Sequence, residues 1–273
     1  MRTVAVWTIK GGVGKTAAAV NLAHAAAVAG TRTVLWDLDP QGAASFYFRV
    51  PARLPGGVAS LVKRSTSLVD LLRPSEFENL SLQPADFTNR NLDLALDANA
   101  KPTKQLKRRL RPFDAVCDLV LVDCPPSVSL VSEAVLRAAD AVLVPVIPTT
   151  LSMRTLAQVR TFVETVGKHR PELLPFLSMV DRRKRMHLEL REQCFQDDTF
   201  LRTAIPSASV VERMGVTRSP VAVTSPSHPA ARAFAALWDE IAWRLHLGPG
   251  FEGLHRTDSP RFEEPNPVFD FEF

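Results

Sequence analysis

At 273 residues the chain can form one sizeable α/β domain or two small ones, and its 46% hydrophobic content is ample for a packed core. No apolar run reaches the ~20 residues needed to span a bilayer, and an apolar strand pattern begins at once without the regions of a signal peptide, so one main cytoplasmic domain is expected. The net charge of +4 is uneven: residues 1–247 carry 31 basic and 23 acidic side chains, whereas residues 248–273 carry two and six. A basic body attracts nucleic acid or anionic lipid, and net charge alone does not say which.

The first element is the apolar run Val4–Trp7, followed by Lys10-Gly11-Gly12-Val13-Gly14-Lys15-Thr16 and an Ala-rich helical segment, Ala17 to Ala29. Strand, glycine loop and helix in that order make a phosphate cradle. With little bulk at Gly11, Gly12 and Gly14, loop N–H groups can converge on one spot, and the helix adds its positive end. Lys15 would reach the β- and γ-phosphates, and the Thr16 hydroxyl would ligate Mg²⁺. Against the pattern G-x-x-x-x-G-K-[ST], the first glycine position is Ile9, and a second lysine, Lys10, follows it.

Gly30 reads as the residue that ends the first helix, and Thr33–Trp36 as a second strand running into Asp37-Leu38-Asp39-Pro40-Gln41-Gly42. The two aspartates alternate, so one can face the phosphate site while the other packs or pairs locally. Residues 49–116 are less regular. Leu68–Leu72 is a short amphipathic piece, and the alternation Leu92-Asp93-Leu94-Ala95-Leu96 predicts a strand. Lys101, Lys104, Arg108 and Arg111 then recur at helical spacing, joined by Lys107 and Arg109, which reads first as a solvated helix face and second as a nucleic-acid contact.

Leu119–Val122 is continuously apolar, as in a strand buried on both faces of a parallel sheet, and ends in Asp123-Cys124-Pro125-Pro126-Ser127. An acid at the carboxyl end of such a strand lies where open α/β sheets place ligands, so Asp123 is the expected Mg²⁺-shell carboxylate. A helix from Val131 to Ala138, a strand Ala141–Val146, a helix from about Ser152 to Val166 and a strand Phe176–Val180 continue the alternation. It predicts a doubly wound, mostly parallel sheet flanked by helices. Residues 230–247 form a final helix with Phe234, Leu237, Trp238, Ile241 and Leu245 on one face. From Gly248 onward the acid-, proline- and phenylalanine-rich sequence predicts a flexible tail. Cys117, Cys124 and Cys194 form no C-x-x-C pair, which argues against zinc or an iron–sulfur cluster.

These motifs carry a resemblance that covers roughly residues 2 to 247. Lys10–Thr16 resembles the deviant phosphate loop of the ParA/MinD family of P-loop ATPases. The resemblance places nucleotide on Lys10, Gly11, Gly12, Val13, Gly14, Lys15, Thr16 and Ala17, and Mg²⁺ on Thr16 and Asp123. It also sends Lys10 across a dimer interface to the partner's nucleotide. Asp37–Gly42 is similar to the family's D-x-D-P-Q-G element, which makes Asp39 the residue that positions the attacking water. With Lys10 and Lys15, Asp39 completes the expected catalytic set. Met179 and Pro206 would lie near adenine. The implied protein is an ATP-dependent homodimer that binds DNA non-specifically and answers to a ParB-like or other adaptor. Arg191 matches a family DNA contact, with Arg213, Arg218 and Arg232 as further candidates and Arg182, Arg183 and Arg185 behind them. Thr224–Ala231 lacks the arginines usual at that place. A MinD-like membrane ATPase is the second reading, disfavoured by the acidic tail, and a biosynthetic ATP-dependent enzyme of the same superfamily is the third.

Overall fold

The computed structural model describes residues 1–63, 66–98, 101–167 and 170–248; the tail expected beyond Gly248 lies outside them. Seven strands form one sheet: β1 (Arg2–Val6), β2 (Thr33–Asp37), β3 (Arg73–Pro74), β4 (Leu80–Gln83), β5 (Leu119–Asp123), β6 (Ala141–Val146) and β7 (Glu172–Leu177), in the order β3-β4-β2-β5-β1-β6-β7. All neighbours pair in parallel except the two-residue edge strand β3. After β1 the chain crosses to β2 on one side, and after β5 it returns to β6 on the other. The loop that follows β1 therefore sits at the point where the winding reverses, the place open α/β sheets use for ligands.

Alternate residues of the central strands feed two cores. Ala5, Trp7, Val34, Trp36, Val120 and Val122 point to one, while Val4, Val6, Leu35, Leu119 and Leu121 point to the other. Continuous apolar runs are the direct consequence of burying both faces. The second core is covered by α1 (Lys15–Val28), α2 (Ala43–Tyr47) and, near the end of the chain, the helix Pro229–Leu245. Alanines at 18, 19, 23, 26 and 27 are all buried, so α1 packs closely between sheet and terminal helix. The first core lies beneath α3 (Val58–Val62), α4 (Leu92–Asp97), α5 (Pro102–Leu110), α6 (Leu130–Ala138) and α7 (Thr150–Thr165). Next come α8 (Arg185–Cys194), the short α9 (Ser209–Glu212), α10 (Met214–Thr217) and α11 (Val221–Thr224), and then the terminal helix as α12.

The strand expected at Leu92–Leu96 is instead helix α4. Leucines at 92, 94 and 96 satisfy a period of two, but only Leu92 and Leu96 are buried. Leu94 is 74% exposed, as an i, i+4 pair on a helix requires. A second correction concerns β7, which runs Glu172–Leu177 rather than Phe176–Val180. Ser178 and Met179 leave the sheet, and Met179 takes a positive φ of 56°.

Candidate nucleotide site

The glycine loop joins β1 to α1 at the centre of the sheet. Gly12 and Gly14 adopt φ of 69° and 90°, the left-handed region in which a Cβ is strained. Gly14 is also crowded, because a Cβ there would lie 3.0 Å from Ser178 Oγ. That hydroxyl donates to the Val13 carbonyl at 2.9 Å, so the end of β7 braces the loop. On the opposite side the Trp7 indole donates to the Ser127 carbonyl at 3.0 Å, tying the loop's strand to the segment that follows Asp123. Ile9, at the first glycine position of the general pattern, is partly buried against the core.

Lys15 opens α1 and is buried, with its ammonium donating to the Lys10 carbonyl at 3.3 Å. Burial lowers its pKa, and the carboxylates of Asp123 and Asp39, with the Cys124 thiol, pull the other way. Lys10 extends sideways, its ammonium donating to Ser152 Oγ at 3.3 Å in the first turn of α7. In the single chain the second lysine is therefore held by the same subunit, at a helix end whose dipole does not favour a cation.

Asp37 and Asp123 face each other in the β2–β5 register, and both side chains are fully buried. One Asp37 oxygen accepts from the Ser45 N–H and hydroxyl, each at 2.7 Å. The other, together with both oxygens of Asp123, has no hydrogen-bond partner. Burial, then the charge of the neighbouring Asp37, raises the Asp123 pKa well above the carboxylate range; the Thr16 hydroxyl and Lys15 act in the opposite sense. Burial likewise pushes Asp37 up to about 6, against the hydrogen bonds from Ser45. Unsatisfied buried oxygens beside a hydroxyl at the mouth of an anion cradle fit a hard divalent cation such as Mg²⁺. Asp39 lies just outside, half-exposed, with one oxygen accepting the Gln41 N–H at 2.9 Å.

Sequence reasoning singled out Thr16, Lys15 and Asp123 but left Asp37 without a role. The available signal was its strand register: Asp37 and Asp123 each close an apolar run, Val34–Trp36 and Leu119–Val122, in neighbouring strands. Ser45, Ser178 and Ser152, which hold Asp37, the loop and Lys10, carried no motif.

The segments expected near adenine do converge. Val180 bridges Pro206 in parallel, with Val180 N–H donating to Ile205 O at 3.0 Å and Ser207 N–H to Val180 O at 2.9 Å, so Met179 and Pro206 are brought to one loop cluster. The arginines expected to contact DNA are distributed. Arg191, on α8, pairs with Glu192 at 2.9 Å. Arg213 is exposed at the junction of α9 and α10, and Arg232, exposed on α12, donates to the Ser227 carbonyl at 2.9 Å. Arg218, at φ 50°, donates to the Phe46 carbonyl at 3.0 Å and lies 4.3 Å over the Phe46 ring, so it braces α2. Arg183 chelates Asp181, and Arg185 pairs with Glu189.

The family model described as an AAA domain matches residues 1–175. The chain is similar to the chromosome-partitioning ATPase Soj of Thermus thermophilus, 32% identical over 252 residues, covering 90% of this chain and 97% of the relative. In three dimensions it is similar to a putative plasmid partition protein of Borrelia burgdorferi bound to AMPPNP, with TM-score 0.77, 19% identity, and 89% and 99% of the two chains covered. It is also similar to a Mycobacterium smegmatis protein described as cobyrinic acid a,c-diamide synthase with bound ADP and magnesium, with TM-score 0.73, 26% identity and coverage of 89% and 96%. Loop, paired strand-end aspartates, sheet order and these likenesses agree: the chain belongs to the ParA/MinD family of P-loop partition ATPases.

Proposed function

We propose that the protein is an ATP-driven switch that dimerises around nucleotide, binds DNA without sequence preference and positions a DNA or protein cargo. The observation that carries this reading is the buried Asp37–Asp123 pair, with three unpartnered oxygens, beside Lys15 and Thr16 at a glycine loop. The partition roles named for its Thermus and Borrelia relatives support the same reading.

Loop N–H groups from Gly11 to Ala17 and the α1 terminus would receive the phosphates, with Lys15 as the point charge among them. Thr16, Asp123 and Asp37 are the residues that would hold Mg²⁺, which when bound would neutralise charge developing on the transferred phosphoryl group. Asp39 would orient the attacking water. Lys10 would leave Ser152 and enter the partner subunit's site, so that closure of the dimer completes the catalytic set. Met179 and Pro206 would flank adenine. Dimerisation would join two basic faces, with Arg191 first among the contacts and Arg213 and Arg232 after it. Each neutralised phosphate adds to affinity through counterion release, so a doubled face turns weak DNA binding into useful binding. An adaptor protein of the ParB kind would speed hydrolysis and so release DNA.

Light scattering with ATP, ADP or no nucleotide in the presence of Mg²⁺ tests the reading. ATP alone should shift monomer to dimer, and Lys15→Ala should remain monomeric; a Lys15→Ala chain that bound ATP and dimerised normally would overturn it. The likeness to the Mycobacterium smegmatis protein favours a second reading, ATP-dependent amidation of a small carboxylate. ATP turnover that requires such a substrate and ignores DNA would select it.

A further inference from the structure

Helix α5 presents cations that the fold does not use. Lys101, Lys104, Lys107, Arg108 and Arg111 are all exposed. None of them takes part in an ion pair among the described residues. Arg109, between them in sequence, is buried and donates to the carbonyls of Ser60 and Leu61, each at 3.0 Å, which fastens α5 to the end of α3. The ridge is therefore held rigidly while its outward charges stay uncompensated.

A cleft of about 390 Å³ lies at the foot of this ridge, its lining mixed: Leu72, Phe77 and Val116 stand beside Arg32, Ser75 and Asn79. Val116 and Cys117 follow Arg111 through a single 3₁₀ turn, Arg111–Ala115. The described body ends close by. Gly248 packs beside Thr31, where a Cβ would lie 4.0 Å from Thr31 Oγ1, and Thr31 directly precedes Arg32 of the cleft. Residues 249–273 then carry six acids, two bases and five phenylalanines.

We propose that segment 249–273 binds its own domain: Phe251 enters the cleft, and the acids from Asp258 to Glu272 lie along the α5 ridge. Reach and charge match, and the cleft's apolar residues offer a contact for the Phe251 ring. Phe251 is three residues past Gly248, roughly 10 Å of extended chain. The segment's 25 residues can reach at most roughly 80–90 Å of extended chain, against roughly 14 Å for the nine-residue α5. Each exposed ion pair is weak alone, but a tether places the acids at an effective concentration in the millimolar range and lets several pairs form together. A nucleic acid would meet the same cations and leave the cleft's apolar residues, Phe77 and Val116 among them, unused, which is why the chain's own acidic, aromatic segment is the better occupant. The contact needs no nucleotide and stands apart from the ATPase reading.

Photocrosslinking of the full chain tests it, with benzoylphenylalanine in place of Phe251 or, separately, Phe269. The Phe251 probe should label 72–81 or 116–117 within the same chain, and the Phe269 probe should label α5. Lys104→Glu with Lys107→Glu and Arg108→Glu should cut the Phe269 cross-link by roughly tenfold or more, as should high salt, with an unchanged melting temperature. The Lys15→Ala background should give the same map, so failure of the nucleotide reading would not alter this outcome. Cross-links scattered over the surface, cross-links only between chains, or a map unaffected by the triple substitution would each overturn the proposal. So would a triple variant that loses duplex DNA affinity while its cross-links persist, since the ridge would then belong to nucleic acid.

Discussion

Asp37 and Asp123 sit opposite each other at the ends of two adjacent parallel strands, both fully buried, with three of their four carboxylate oxygens unpartnered. Two like charges held that close and that dry are costly unless a proton or a cation is shared between them. The rest of the site is arranged around that cost: Lys15 and Thr16 stand at the pair, and the glycine loop opens beside it.

The first prediction concerns pH without metal. Asp37 has a folded-state pKa near 6, above the value of an unfolded aspartate. Between roughly pH 4 and pH 6 the folded chain therefore holds more protons than the unfolded one, and stability contributed by Asp37 is lost as pH rises through that window. A shift of this size corresponds to an upper bound of about 3 kcal/mol. Chemical denaturation of wild type and Asp37→Asn across pH 4–7 should show a steeper downward slope in the wild type than in the variant, where Asp123 still contributes in the same sense; parallel curves would refute the assignment.

A second prediction separates metal binding from folding. Asp123→Asn removes a carboxylate whose charged form burial opposes, so metal-free stability at neutral pH should hold or rise rather than fall. Stabilisation by ATP with Mg²⁺ over ATP alone, read as a shift in melting temperature, should vanish. A variant that kept the full Mg²⁺-dependent shift would remove Asp123 from the cation site.

Gly14→Ala should destabilise the chain by about 1–3 kcal/mol, because it puts a Cβ at φ 90° and 3.0 Å from Ser178 Oγ. Thermal unfolding measures the loss. Adding Ser178→Ala should recover only part of it, since the backbone strain remains; full recovery would show that crowding alone forbids the side chain.

Lys10→Ala should leave the single chain nearly as stable as wild type, because Lys10 contributes one long, partly buried hydrogen bond to Ser152, worth about 0.5–1.5 kcal/mol. Nucleotide affinity of the monomer should also persist, while the ATP-dependent dimer disappears. Equal dimerisation by the variant, seen by light scattering, would take Lys10 out of the interface.

Much of this was legible in the sequence because burial on both faces leaves an unmistakable mark. Leu119–Val122 and Ala141–Val146 read as strands, and the glycine loop with Lys15 and Thr16 read as a phosphate cradle. What escaped depended on contacts between distant segments. Leu92–Leu96 fits both periods over so few residues that only packing, which buries Leu92 and Leu96 and exposes Leu94, chooses the helix. Asp37 gained its place from its register with Asp123, eighty-six residues away in the chain. Arg218 read as a candidate DNA contact, yet its guanidinium lies on the Phe46 ring and donates to the Phe46 carbonyl. Charge type is written in the sequence, but whether a charge is already paired is not.

Binding of unrelated duplexes with ATP, ADP or no nucleotide, across a salt series and beside Arg191→Glu, tests the central claim most directly. The account predicts binding that requires ATP, ignores sequence, weakens steeply with salt and is lost or strongly reduced in the variant. DNA binding of equal strength in all three nucleotide states, or none in any of them, would contradict it.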